Sequence, residues 1–200
     1  MKMGILGGTF DSIHNGHLGV AEEVKMRLDL TKIIFVPTGQ PWLKKAIPVA
    51  AGEERVEMVR LAIADKPYFE LSRIEIDRAG SSYTVDTIAE FKNISGTGSE
   101  LYFMLGWDTL SELDRWREPE RLVSMCYLVA AHRPGILRPD LKALEASIPG
   151  ISERVIIMDN PVIDISASAI RDRVANGLSI RHLVPETVNR YIKEHKLYLK

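Results

Sequence analysis

The chain opens with a strand, a glycine turn and a helix in immediate succession, and that order constrains the fold more than any other feature. "KMGILGG" is an apolar run of strand length, and "GHLGVAEEVKMRLDL" places Leu18, Ala21, Val24 and Leu28 on one helical stripe. The alternation then continues. "KIIFVPTG" reads as a second strand, stopped by Pro37 and Gly39, and "GEERVEMVRLAIAD" as a helix with Val56, Val59 and Ile63 on one side. "YFELSRIEI" alternates like a strand, "TVDTIAEFKN" reads as a short helix, and "ELYFMLG" as a strand. "PERLVSM" is a short helix opening with proline, "CYLVAAHRPG" a strand closed by a turn, and "RVIIMDN" the last clear strand. "SASAIRDRVANG" has serine caps at its start and Gly177 at its stop, and "PETVNRYIKEH" is a final helix. Repeated βαβ units predict an α/β fold with a mainly parallel sheet and helices on both faces. A small helical part is expected over residues 166–200. In such folds the loops at the carboxyl ends of the strands carry the site.

A length of 200 residues suits one domain spanning 1–200. The formal net charge of −1 speaks against a broad nucleic-acid or membrane surface. Local basic clusters can still hold phosphates. Cys126, the one cysteine, lies in the apolar run "MCYLVAA" and reads as a buried core thiol rather than a catalytic one. No apolar run approaches the ~20 residues that span a bilayer, and the apolar start is too short for a signal peptide. A cytoplasmic protein is expected. The sequence admits a homo-oligomer but carries no readable signal for one.

Two segments have the chemistry of phosphate sites. In "GGTFDSIHNGH" the strand ends near Leu6, and Gly7 and Gly8 let backbone N–H groups approach a ligand closely. A helix then starts near Gly16, and its amino end attracts anions. His14 and His17, three residues apart, project to the same side there. The segment is neither a P-loop nor a G-x-G-x-x-G turn, and the two histidines lack a nearby third metal ligand. Taken alone it is compatible with a structural turn or a phosphate site. In "DISASAIRDRV" Ser166 or Ser168 is a natural N-cap. A capping box on Ser168 would want Glu or Gln at position 171. Arg171 stands there instead, a cation in the positive first turn, which a polyphosphate would balance. The structural alternative is a salt bridge from Arg171 to Asp164 or Asp172.

Together "HNGH" and "ISASAIR" resemble the T/H-x-G-H and I-S-x-T-x-x-R signatures of the nucleotidyltransferase superfamily, and imply its Rossmann-like fold. Seven segments in order extend the resemblance to the bacterial nicotinate-nucleotide adenylyltransferases. They are "GGTFDSIHNGHL", "FVPTGQPWLK", "SSYTVDTI", "YFMLGWDTLSELDRW", "AHRPG", "ISASAIR" and "HLVPETVNRYIKEHKLY". The chain departs from the pattern at Ser12, where proline is usual, and at Ala167–Ser168, where Ser-Thr is common. Trp42 and Leu43 replace a frequent Pro-His before the basic Lys44.

The resemblance implies adenylyl transfer from ATP to nicotinate mononucleotide in NAD biosynthesis. It implies that the backbone of Gly8, Thr9 and Phe10 lines the ATP site and that His14 and His17 contact the phosphates, with His17 supporting the transition state. It further implies that Lys44 neutralises phosphate charge from a mobile loop, that Ser166, Ser168 and Arg171 hold the β- and γ-phosphates, and that Arg133 lines the nucleotide site. Mg²⁺ is expected with ATP, held largely by phosphates and water. Tyr83, Thr84 and Asp108 are implied to bind the mononucleotide, and Trp116 to stack on its pyridine ring. The structural alternatives are a packing tryptophan at 116 and a helix N-cap at Asp108; Trp107 reads as packing. The preference for nicotinate over nicotinamide mononucleotide rests on the resemblance alone. Other readings are adenylyl transfer to phosphopantetheine, a non-catalytic nucleotide-binding regulator, and a dehydrogenase, which the glycine spacing disfavours.

Overall fold

A computed structural model describes residues 1–40, 50–96, 98–159 and 164–199 of the chain. Among them are strands β1 (Lys2–Gly8), β2 (Lys32–Pro37), β3 (Phe69–Leu71), β4 (Glu100–Gly106), β5 (Tyr127–Ala131) and β6 (Val155–Met158). These form one sheet in the order β3-β2-β1-β4-β5-β6, with every neighbouring pair parallel. The helices are α1 (Asn15–Leu28), α2 (Gly52–Ile63), α3 (Thr84–Ser95), α4 (Trp107–Ser111), α5 (Pro119–Met125), α6 (Leu141–Ser147), α7 (Ala167–Ala175) and α8 (Glu186–Glu194). From β1 the chain builds outward to β2 and β3, then returns to build β4, β5 and β6 on the other side. The loops after β1 and β4 therefore diverge and leave a crevice at the carboxyl ends of the strands.

Successive strand residues point to opposite faces, so a strand covered on both sides reads as a continuous apolar run. Leu6, Phe35, Met104, Val129 and Met158 join one core with Ala21 and Val24 of α1, Met58 and Val59 of α2, Ile170 of α7 and Val188 and Ile192 of α8. Their neighbours Ile5, Ile34, Phe103, Leu105 and Leu128 join a second core with α3, α5 and α6. Cys126 is buried in that second core, and burial pushes its thiol up to about 12. No helix among the described residues is long and apolar enough to cross a membrane.

The third strand is shorter than "YFELSRIEI" suggests. Its last rung is the Ser72 N–H donating to the Phe35 carbonyl at 2.9 Å, after which the Asp77 N–H closes a turn onto the Arg73 carbonyl. The alternation has another source. Ile74 packs against the second core, while Ile76 lies close to Gly52 at the start of α2. Helices α4 and α6, of five and seven residues, are too short to show a stripe in the sequence.

The loop after β2 is held tightly against the chain that follows β3. A Cβ on Gly39 would lie 2.0 Å from the Glu75 carbonyl oxygen, whereas one on Gly4 would first meet the flexible tip of Ile33 at 2.4 Å. Backbone cannot give way as a side-chain tip does. Gly39→Ala is therefore expected to lower stability by about 2 kcal/mol or more, the scale of overpacking, and by more than Gly4→Ala. Urea unfolding of the two variants checks this, and equal stabilities would remove the steric reading.

Candidate active site

The crevice begins where β1 ends. Phe10 has a φ of 49°, a region that side-chain-bearing residues rarely adopt, and its ring is buried at 2% exposure. That ring meets the His17 ring edge-on, with centroids 5.0 Å apart. His14 is the N-cap of α1, and His17 lies in the first turn. Their rings stack, with centroids 3.6 Å and planes 21° apart. The spacing thus brings both imidazoles together at the amino end of α1.

Their protonation follows from their surroundings. The backbone N–H of His14 donates to Nδ1 of His17 at 3.3 Å. A neutral imidazole that accepts at Nδ1 carries its proton on Nε2, so His17 offers an Nε2–H donor. Burial first, and the charge of Arg133 second, pull the pKa of His14 down to about 4. Burial, then His14, then Arg133 hold His17 well below its usual 6.5. Both rings are neutral at pH 7.

Helix α7 supplies the opposite wall. Its N-cap is Ser166, whose Oγ accepts from the Ala169 N–H at 3.2 Å and lies 3.3 Å from the Ser168 Oγ. Of the two serines that the sequence offers as caps, Ser166 is the one used, which removes the capping box anchored on Ser168. With Ser166 as the cap, Arg171 stands at the fifth helical position, past the positive first turn, and is not misplaced for its helix. Nor is its partner Asp164 or Asp172. Arg171 Nη1 donates to the carbonyl oxygen of Asp11 and lies 3.6 Å from Asp11 Oδ2.

Asp11 is buried at 2% exposure and joins distant parts of the chain. Its Oδ1 accepts from the Tyr198 hydroxyl at 2.7 Å and from the Ala50 N–H at 3.2 Å. Beside it the equally buried Arg55 donates from Nη1 to the carbonyls of Thr9 and Thr38, at 2.8 and 2.7 Å, and from Nε to that of Ala50 at 3.1 Å. One guanidinium thus pins the loops after β1 and β2 to each other.

Arg133 follows β5, and its Nη1 donates to Asp108 Oδ2 at 2.8 Å. Asp108 is not a cap, because Gly106 caps α4 and Asp108 is its second residue. A Cβ on Gly106 would lie 2.3 Å from Asp108 Oδ1, so a side chain there would displace the Asp108 carboxylate. Arg133, Pro134 and Ile136 line a cleft with Asp164, Ile165 and Ser166. The fold therefore gathers Gly8, Thr9, Phe10, His14, His17, Arg133, Ser166, Ser168 and Arg171 at the carboxyl ends of β1 and β5. Lys44 lies outside the described residues.

In the middle of the chain, Tyr83 and Trp116 both pack against the second core. Tyr83 caps α3 and Thr84 begins it, and the Arg117 guanidinium lies 4.6 Å over the Tyr83 ring. Trp116 is half-buried and meets Phe103 edge-on at 6.2 Å. Trp107 is packing: it is buried, and its Nε1 donates to the Ala130 carbonyl at 3.1 Å.

Motif reading missed Asp11, Arg55 and Tyr198. Only Asp11 carried a signal, since a carboxylate inside an anion-type loop demands a cation nearby. Arg55 and Tyr198 act across long sequence separations and leave no local pattern.

A parallel sheet with its crevice at the strand-order reversal, with two histidines at the start of α1 and the guanidinium groups of Arg133 and Arg171 nearby, is the arrangement of a nucleotide-handling α/β protein. Residues 5–173 match the family model described as cytidylyltransferase-like. A protein of Dehalococcoides mccartyi (strain CBDB1) named "Probable nicotinate-nucleotide adenylyltransferase" is 50% identical over 100% of this chain and 98% of its own length. One of the same name from Moorella thermoacetica is 45% identical over 98% of this chain and 91% of its own. The solved structure of Plasmodium falciparum nicotinic acid mononucleotide adenylyltransferase complexed with NaAD shares the fold. Its TM-score is 0.80 at 20% identity, over 98% of this chain and 97% of that one. The chain belongs to the cytidylyltransferase-like family, in its nicotinate-nucleotide adenylyltransferase branch.

The depressed histidine pKa has a consequence for stability. Between pH 6.5 and about 4 the unfolded chain binds a proton at residue 14 that the folded chain does not. Stability at this site is therefore full above pH 6.5 and falls as pH drops toward 4, by up to about 3 kcal/mol. Urea unfolding at pH 7 and pH 4.5 should show a smaller difference for His14→Gln than for the parent. An NMR titration of the His14 ring with a midpoint near 6.5 would contradict the burial argument.

Proposed function

We propose that the protein transfers the adenylyl group of ATP to nicotinate mononucleotide, forming nicotinate adenine dinucleotide and pyrophosphate for NAD biosynthesis. The observation that carries this reading is the pair of neutral, stacked imidazoles at the start of α1, with His17 offering Nε2–H toward an anion. A phosphate oxygen of the mononucleotide attacks the α-phosphorus of ATP, and pyrophosphate leaves. The attacking phosphate is already largely dianionic at pH 7, its second pKa being about 6, so no general base is needed. A histidine with a pKa of about 4 is poorly matched to general-base work at pH 7 and well suited to donating a hydrogen bond.

The chain's own residues position and neutralise. His14 and His17 donate to the phosphates, and His17 follows the charge that develops around the α-phosphorus. Binding of a polyanion raises both histidine pKa values and strengthens these contacts. Gly8, Thr9 and Phe10 line the ATP site with backbone. Arg133, Ser166, Ser168 and Arg171 take the remaining phosphate charge, and Lys44 adds to it. Tyr83, Thr84 and Asp108 bind the mononucleotide, and Trp116 is the platform for its ring. Mg²⁺ bound with ATP would be held largely by the phosphates and water and would neutralise part of their charge. The names of the relatives support nicotinate mononucleotide as the acceptor.

A pyrophosphate-release assay with ATP and Mg²⁺ should show turnover with nicotinate mononucleotide above that with nicotinamide mononucleotide or phosphopantetheine. Absence of turnover with both pyridine nucleotides would defeat the proposal. His17→Ala is expected to lower kcat by about 10²-fold or more, the scale for one preorganised charge-stabilising donor. Trp116→Ala should raise the KM for the mononucleotide more than that for ATP. Equal effects on the two would mark Trp116 as packing.

A further inference from the structure

The C-terminal tail reaches into the phosphate site through one hydroxyl. After α8 the chain turns back on itself, and both Lys196 and Tyr198 take left-handed φ values, 53° and 64°. An aromatic residue adopts that region at a cost, and such outliers persist where surrounding contacts over-determine them. The contact here is the Tyr198 hydroxyl donating to Oδ1 of Asp11 at 2.7 Å. Burial raises the tyrosine's pKa, as does its bond to Asp11, so the phenol stays protonated and remains a donor.

Asp11 has two faces. Oδ1 is held by Tyr198 and by the Ala50 N–H. Oδ2 is buried without a hydrogen-bond partner and faces Arg171 at 3.6 Å, longer than a direct charged hydrogen bond. The guanidinium is instead oriented by the neutral Asp11 carbonyl oxygen. Arg171 is thus kept near a buried carboxylate without being captured by it.

We propose that Tyr198 is a positioning residue for the ATP-phosphate site, holding the Asp11 carboxylate turned so that Arg171 stays available to phosphate. This rests on the reading of Arg171 as a phosphate ligand in the proposed function. Without the hydroxyl, Asp11 keeps only the Ala50 donor at Oδ1, and its carboxylate rotates to pair closely with Arg171. The arginine is then withdrawn from ATP, while the mononucleotide group around Tyr83 and Trp116 is untouched.

The test is Tyr198→Phe, which keeps the ring and removes the donor. ATP·Mg²⁺ binding, measured by titration calorimetry without the second substrate, should weaken about fivefold, the worth of one net hydrogen bond. The KM for the mononucleotide should stay within about twofold, a change too small to signal a lost hydrogen bond. In a double-mutant cycle with Arg171→Lys the two losses in ATP affinity should be non-additive, because Tyr198 acts through Arg171. Unchanged ATP affinity in Tyr198→Phe overturns the proposal. So do additive losses, or a parallel fall in both affinities together with the melting temperature, which mark a merely structural tail. A parent protein that binds ATP but turns over neither pyridine nucleotide would defeat the proposed function and leave this binding test in force.

Discussion

A carboxylate that is 2% exposed must be compensated within the protein, and in this chain that carboxylate is Asp11. It stands between the glycine turn of β1 and the histidine pair of α1. Its carboxylate accepts hydrogen bonds from residues 50 and 198 and pairs at 3.6 Å with Arg171, three remote points of the sequence. A buried ion pair is weak evidence for added stability, because desolvation offsets the Coulomb gain. Its stronger consequence is specificity. An arrangement that left Asp11 without Arg171, Tyr198 or the Ala50 N–H would bury an uncompensated charge. The loop, the last third of the chain and the start of α2 are thereby held to one mutual arrangement.

The same charges set the state of the histidines. Arg133 disfavours a positive charge on either ring, and burial acts in the same direction with greater force. The crevice thus divides its work. Guanidinium groups, charged at any working pH, supply the positive field, while the imidazoles supply directed neutral donors. Asp108 takes part of the field by pairing with Arg133 at 2.8 Å. Two rings stacked 3.6 Å apart would repel if both were protonated in the free protein, and burial avoids that conflict.

What could be read from the sequence was whatever depended on local period or local motif. β1, β2, β4 and β5 are buried on both faces, and their continuous apolar runs announce them. The i, i+3 spacing of His14 and His17 likewise implies adjacency on a helix. The period misled where apolar residues alternate without a ladder, as at Ile74 and Ile76, and the sequence leaves the cap of α7 open between Ser166 and Ser168, which are chemically equivalent on paper. Arg55 and Tyr198 were out of reach, since their meaning lies in partners at separations of up to 187 residues, and Asp11 signalled a need for a cation without showing which one. Ser12 is fully buried with its hydroxyl unpartnered, and nothing in the structure explains a serine there.

Those long separations are closed by packing rather than by the polar contacts themselves. Ile170 of α7 and Val188 and Ile192 of α8 are almost fully buried, and they share one core with Ala21 and Val24 of α1. Each such side chain contributes about 2 kcal/mol of transfer free energy, more than the ~1 kcal/mol net of a single hydrogen bond. The apolar stripe of the tail therefore fixes where the tail lies. The polar groups then use that position: Asn15 donates from its backbone N–H to the Leu183 carbonyl at 2.9 Å and from its side chain to that of His182 at 3.2 Å. The amino end of α1 is thereby tied to the segment that precedes α8. The donors left to meet an incoming anion are then the histidine pair and the arginines. The geometry of the proposed phosphate site is in this sense set by hydrophobic residues that never touch it.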